Sequence, residues 1–313
     1  MAKQITSNIL MVRPASFGFN LETATNNYYQ KIPEDLSQDE IQQLAIKEFD
    51  EFVSKLREHG INVIVVDDGP AHQSSDSVFP NNWISFHNDG RVGLYPMYSS
   101  IRRRERRDDI YNEILPGYGF KTTDIVDFTD NELNNQYLEG TGSMVLDRVN
   151  RIAYASLSGR TDSYVLNEFA KTFSYKVVSF SSYQSVSGKR KLIYHTNVMM
   201  CVGDDFAILC KDAIDDQSER QQVIDSLTNT GKEIIYITEK QTKNFAGNML
   251  EVDSESGKKY LVMSETAYKS LDDRQLEVIS NYCTIIQGRL DIIESCGGGS
   301  VRCMMAEIFL PLQ

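Results

Sequence analysis

Short apolar runs recur along the chain in one order: two runs joined by a tight polar turn, an amphipathic stretch, then a third run. After Asn82 come Trp83-Ile84-Ser85-Phe86, the turn Asn88-Asp89-Gly90 and Val92-Gly93-Leu94-Tyr95, a pattern that predicts a β-hairpin. Residues 102–115 then predict a helix and residues 125–128 a third strand. The same order follows Glu139, with strands 143–146 and 152–156 around Val149-Asn150, a helix over 162–173 and a strand over 176–180. It follows His195, with strands 198–202 and 206–210 around Gly203-Asp204-Asp205, a helix over 216–227 and a strand over 233–238. It also follows Asn248, with strands 249–252 and 260–263 around Ser256-Gly257, a helix over 265–281 and a strand over 283–287.

A fifth unit is split between the two ends of the chain. Strand 9–13, helix 37–58 and strand 61–67 open it, and a strand over 304–310, started by Cys303, supplies the missing run. The helix has the clearest pattern. Ser37 and Glu40 form a capping box, Ile41, Leu44, Ala45, Phe49, Phe52, Val53 and Leu56 share one face, and Gly60 lies past the end. The residues that precede four of the units and start the fifth strand, Asn82, Glu139, His195, Asn248 and Cys303, are separated by 57, 56, 53 and 55 positions, a period that marks a repeat array. Pairing the first strand with the last would close a ring and remove an exposed edge. No Pro-, Ser- or Gly-rich spacer divides the chain, so 1–313 is expected to form one domain.

The net charge of -12 argues against a general nucleic-acid surface. The one basic cluster, Arg102, Arg103, Arg104, Arg106 and Arg107, is interrupted by Glu105 and followed by Asp108-Asp109, and reads first as a solvated helix face. No apolar run approaches the ~20 residues of a membrane span, no signal-peptide pattern opens the chain, and five is an odd number of cysteines. A cytoplasmic protein without membrane or nucleic-acid partners is expected.

A thiol, an imidazole and a carboxylate at equivalent places in successive units would converge if the units closed into a ring, as nucleophilic catalysis requires. Cys201, Cys210 and Cys283 read as buried apolar side chains and Cys296 as structural. His59, His72 and His87 read as core histidines, and Asn248 as a structural turn residue. Cys303 differs, because it follows Gly297-Gly298-Gly299-Ser300, where glycines let backbone approach a substrate.

Phe79-Pro80-Asn81-Asn82, Leu138-Glu139-Gly140, His195-Thr196-Asn197 and Gly298-Gly299-Ser300-Val301-Arg302-Cys303 resemble the site motifs of the guanidino-group-modifying superfamily, the penteins. That resemblance implies an α/β five-bladed ββαβ propeller closed by the terminal strands, with no cofactor and no metal. It implies Cys303 as nucleophile, His195 as proton-transfer residue and Glu139 as acceptor of the substrate's N–H groups. Attack by a thiolate splits the barrier at a resonance-stabilised carbon, and a free thiol near pKa 8.5 needs help to ionise. Gly298 and Gly299 would let backbone approach the substrate. Arg160 resembles the arginine that grips a substrate carboxylate, with Arg102 or Arg104 assisting.

Arginine deiminases have aspartates where this chain has Asn82 and Asn197. Amides donate as well as accept, so a neutral ureido group suits the site better than a guanidinium. The sequence resembles a citrulline-utilising branch, in which hydrolysis gives ornithine, ammonia and carbon dioxide. The alternatives are arginine deiminase or dimethylarginine dimethylaminohydrolase activity, an amidinotransferase, and a binding protein that uses the ring without catalysis. The partner is a small amino acid, and self-association into a homo-oligomer is left open. The polar connections 15–36 and 68–78 are positioned to cover the channel mouth.

Overall fold

The computed structural model describes residues 3–69 and 74–313. Five three-stranded sheets carry the architecture. Four are continuous in sequence: Ile84–Phe86, Arg91–Leu94 and Asp124–Asp127; Val145–Asp147, Ile152–Ser156 and Lys176–Phe180; Met200–Val202, Phe206–Leu209 and Glu233–Tyr236; Leu250–Asp253, Lys259–Ser264 and Thr284–Gly288. In each, the middle strand pairs antiparallel with the first and parallel with the third. The fifth sheet has the same pattern but draws on both ends of the chain. Asn8–Arg13 lies in its middle, parallel to Asn62–Asp67 and antiparallel to Ala306–Glu307, with Ile9 opposite Glu307.

The third strand of each sheet is reached through a crossover segment, and local chemistry sets where the helices begin. Helix Gln38–Glu58 starts at the Ser37/Glu40 capping box and buries Ile41, Ala45, Phe49, Phe52, Val53 and Leu56. Leu44, expected on that face, is instead exposed to solvent, because it falls at the stripe's edge. Each fully buried phenylalanine of the stripe contributes about 2–3 kcal/mol, so this face rather than intrinsic propensity holds the helix in place. Ser163–Phe173 is capped by Asp162 and ends at Ser174 in a left-handed conformation, and Gln217–Asn229 is capped by Asp216. The apolar interior is divided among four clusters that underlie neighbouring sheets.

Several predicted elements are corrected. Residues 102–115 do not form one helix: Arg102–Glu105 is a single turn, Arg106 is extended, and a second helical segment begins only at Ile110. The helix over 265–281 is two, Glu265–Ser270 and Asp273–Ser280, because Asp272 caps a new start. Cys303 does not begin a strand. It lies in the helical turn Val301–Met304, and the strand after it is only Ala306–Glu307. A hairpin outside the repeat, Tyr183–Val186 with Lys189–Leu192, precedes His195. His59 is half-buried at a helix end rather than in the core, whereas His87 is buried and stacks on Phe173 at 3.9 Å. His72 and part of the 68–78 connection lie outside the described residues.

Candidate active site

Each of the five marker residues sits in or beside a short turn that leads into the first strand of a sheet. Asn82 ends the turn Pro80–Asn82; Glu139 precedes Gly140–Ser143; His195 precedes Thr196–Val198; Asn248 lies just before Leu250–Asp253; Cys303 is inside Val301–Met304. The turns touch one another. Pro80–Asn82 packs against both Gly140–Ser143 and Val301–Met304, and Gly140–Ser143 packs against Thr196–Val198. Asn248 joins the remaining pair, donating to the Asn197 carbonyl at 3.2 Å and accepting from the Arg302 N–H at 3.1 Å.

Glu139 is wholly buried. Its carboxylate accepts from the Tyr98 N–H at 2.9 Å and from His195 Nε2 at 2.7 Å, and Arg160 Nη1 lies 3.5 Å away. Burial pushes this carboxyl upward, but the Arg160 charge and the His195 hydrogen bond outweigh it and hold the group well below the usual carboxylate range. An ionised Glu139 can only accept, so His195 carries its proton on Nε2 and leaves Nδ1 as the lone pair. Burial lowers His195 to about 4 against the pull of Glu139, with Arg160 and Arg102 adding to the depression. The imidazole is therefore neutral near pH 7.

The sulfur of Cys303 receives two amide donors, Asn197 Nδ2 at 3.4 Å and Asn248 Nδ2 at 3.3 Å. Asn197 Oδ1 is buried with no hydrogen-bond partner. Asn82 gives its oxygen to Arg102 Nη1 at 2.6 Å and donates to Asn81 Oδ1 at 2.9 Å.

Arg102 is not on a solvated face. It is buried, bonded twice to Glu105 at 2.9 Å and to the Phe79 carbonyl at 3.1 Å, with Asp76 at 3.9 Å. Arg104, two residues on, is exposed and does not line the cavity that holds Cys303. Arg160 is buried with its fork on Asn26 Oδ1 and the Thr23 carbonyl, and its guanidinium lies 4.7 Å over the Tyr194 ring.

Cys303, His195, Asn82, Arg102, Arg160, Gly298 and Gly299 line one cavity, together with Asp76, Tyr194, Thr23 and Asn27. Its volume, about 20 Å³, is room for one water. The 15–36 connection closes it from above: Asn27 Nδ2 reaches the Gly297 carbonyl at 3.3 Å, and the Lys31 N–H reaches the Ser295 carbonyl at 2.6 Å. Gly298 is left-handed with φ +65°, and a Cβ there would meet Asn27 Nδ2 at 2.6 Å. Glycine is therefore required where the covering segment meets the loop.

Two residues passed over in the sequence belong to this geometry. Asn248 gave a signal only through its place in the series. Gly142 gave one through Gly140-Thr141-Gly142: a Cβ there would lie 2.5 Å from Asn82 Nδ2 and 2.8 Å from His195 Nδ1. Among the described residues no cluster of His, Cys, Asp and Glu could hold a metal ion, and no helix is long and apolar enough to cross a membrane.

Repeated sheets of this order, with thiol, imidazole and amides brought to one cavity, define a pentein of the guanidino-group-modifying superfamily. The chain belongs to the family described as N,N dimethylarginine dimethylhydrolase, eukaryotic, which matches residues 13–310. Its relatives are hydrolases of carbon–nitrogen bonds other than peptide bonds. No curated protein matches the sequence.

Among solved structures the chain is similar to the apo form of ArgZ, an arginine dihydrolase from the ornithine-ammonia cycle in cyanobacteria. The TM-score is 0.72 at 18% identity over 98% of this chain and 41% of that one, so the chain spans about two-fifths of that relative's length. The N-terminal domain of ArgZ bound to product matches with a TM-score of 0.70 at 19% identity, over 99% of this chain and 100% of that one. A cysteine-to-serine mutant of DDAH from Pseudomonas aeruginosa complexed with citrulline matches with a TM-score of 0.64 at 12% identity, over 98% and 100%.

Proposed function

We propose that the chain hydrolyses the ureido group of citrulline to give ornithine, ammonia and carbon dioxide. The charge on the cavity wall carries this reading. Two guanidinium groups, Arg102 and Arg160, line the cavity, but Arg102 is paired with Glu105, Arg160 faces Glu139 behind His195, and burial raises the one carboxyl on the wall, Asp76. A cationic guanidinium entering there would have to draw on carboxylates that already have guanidinium partners, whereas a neutral ureido group needs only donors and acceptors. The free N–H of Asn82 and the unpartnered Asn197 Oδ1 supply one of each.

In the proposed mechanism the Cys303 sulfur attacks the ureido carbon, forming a C–S bond. The bond to the terminal nitrogen breaks, and ammonia leaves with a proton taken up from solvent and delivered through His195 Nδ1. His195 Nδ1 then takes a proton from water as it attacks the thiocarbamate, the thiolate departs, and the carbamic acid released loses carbon dioxide to leave ornithine. Glu139 acts by fixing the His195 tautomer rather than by holding the substrate, because its carboxylate already serves Tyr98, His195 and Arg160. Arg160 takes the substrate's α-carboxylate when the segment bearing Asn26 lifts, and Arg102 orients Asn82. The contacts among the five turns support a closed five-bladed ring, formed as one domain over 1–313.

The test is separate incubation with citrulline and with arginine, measuring ornithine, citrulline and ammonia. Ornithine from citrulline is expected. Citrulline appearing from arginine, with citrulline itself untouched, would replace this reading with the guanidine hydrolysis that the family's name describes. Turnover that survives Cys303→Ala would remove the covalent mechanism.

A further inference from the structure

We infer that Asn248 is a further catalytic residue: with Asn197 it forms a two-amide cradle that stabilises negative charge on the Cys303 sulfur in the free enzyme. The inference deepens the hydrolase reading above and answers a question that reading raises. A guanidinium substrate brings a positive charge that favours the thiolate, and a ureido substrate brings none.

The two donors converge on Sγ, at 3.3 Å from Asn248 and 3.4 Å from Asn197. The Asn248 amide has only one consistent orientation. Its oxygen accepts the backbone N–H of Arg302, which can only donate, so its NH₂ must face the sulfur and the Asn197 carbonyl.

The backbone is shaped to make this reach. A Cβ on Gly247 would lie 2.2 Å from the Val198 carbonyl oxygen and 2.8 Å from Met199, so only glycine lets this segment close on the turn after His195. Phe245, two residues earlier, holds φ at +62°, a conformation costly for a bulky side chain and typical of sites that the surrounding fold over-determines. Asn248 itself is buried at 2% exposure, which strengthens a hydrogen bond to developing charge. On ionisation the S–H bond breaks, the electron pair stays on sulfur and the proton passes to water, so the nucleophile is ready before the substrate arrives.

The test needs no substrate. Iodoacetamide alkylation of Cys303 is followed at neutral pH, and the modified peptide is resolved by mass spectrometry from those of Cys201, Cys210, Cys283 and Cys296. Asn248→Ala removes the donor. Asn248→Asp keeps an acceptor for the Arg302 N–H but turns an oxygen toward sulfur. Each is expected to slow alkylation by about tenfold or more, the worth of one hydrogen bond to a charged group. An unchanged or faster rate in a variant that melts like the parent overturns the inference.

A second measurement covers the case in which neither variant folds. The ultraviolet thiolate absorbance of the parent minus that of Cys303→Ala, without substrate, is expected to be positive at neutral pH, and a null difference overturns the inference. Because neither readout involves citrulline, the substrate assignment can fail while this one stands, or the reverse.

Discussion

Replacing Glu139 with glutamine removes one buried charge while keeping the side chain's shape. The carboxylate is fully buried, accepts from Tyr98 and His195 at 2.9 and 2.7 Å, and faces Arg160 at 3.5 Å. Glutamine can still accept from Tyr98 or His195, but it leaves Arg160 buried with only the neutral oxygens of Asn26 and Thr23. Breaking a buried ion pair from one side costs about 3–5 kcal/mol, and that is the loss expected in urea unfolding at neutral pH.

The cause is isolated by a double-mutant cycle. Arg160→Met alone strands Glu139 and is also costly, whereas the double variant strands neither, so the two losses should fall short of additivity by at least about 2 kcal/mol. The acid limb follows from the same pair. Glu139 has its folded value depressed, so its contribution is present above the ordinary carboxylate range and is lost as pH falls through that range toward the folded value. Glu139→Gln should flatten that limb. Losses that add within about 0.5 kcal/mol would refute the pairing.

His195, lowered to about 4 by burial, contributes stability that is complete above pH ~6.5 and is lost as pH falls toward 4. An NMR titration of its ring in the unliganded protein should show no protonation between pH 8 and about pH 5, and a midpoint above 6 would refute the assignment. Gly142→Ala drives a methyl into Asn82 and His195, and should cut kcat by about tenfold or more with little loss of secondary structure by circular dichroism. Ser174 ends a helix with φ at +58° and is exposed, so Ser174→Gly should raise the unfolding midpoint by the equivalent of about 1 kcal/mol. A fall would show that the serine side chain is needed there.

Much of the sheet framework was readable because each unit alternates apolar runs with Gly-, Asn- and Asp-rich turns, and that pattern constrains local pairing. The hairpin Tyr183–Val186/Lys189–Leu192 escaped notice because its strands bury only Gln184 and present an exposed Lys-Arg-Lys-Leu run. The broken helices escaped for a different reason. A cap such as Asp272 within an otherwise helical pattern marks a restart only once the backbone around it is known.

At the site, the motifs brought forward Cys303, His195, Glu139, Asn82, Asn197 and Arg160. Arg102 was misread because charges of both signs along a segment signal solvent, and although Glu105 is a near neighbour, two of its other partners, Asn82 and the Phe79 carbonyl, lie 20 and 23 residues away. Asn248 was read as a structural turn residue because asparagine after glycine is ordinary turn chemistry. Only the sulfur at 3.3 Å distinguishes it.

The antiparallel pairing of Asn8–Arg13 with Ala306–Glu307 joins two segments almost 300 residues apart. A contact of such sequence separation forms slowly, because so much chain must be ordered before it closes. As the chain emerges from the ribosome, Asn8–Arg13 can meet its parallel neighbour Asn62–Asp67 early, but its other edge stays open until Ala306–Glu307 has been made. Cys303 lies just ahead of that strand, so reactivity toward small electrophiles should appear only once this pairing has formed. A chain cut before Cys303 would keep four of the five sheets and lack the nucleophile.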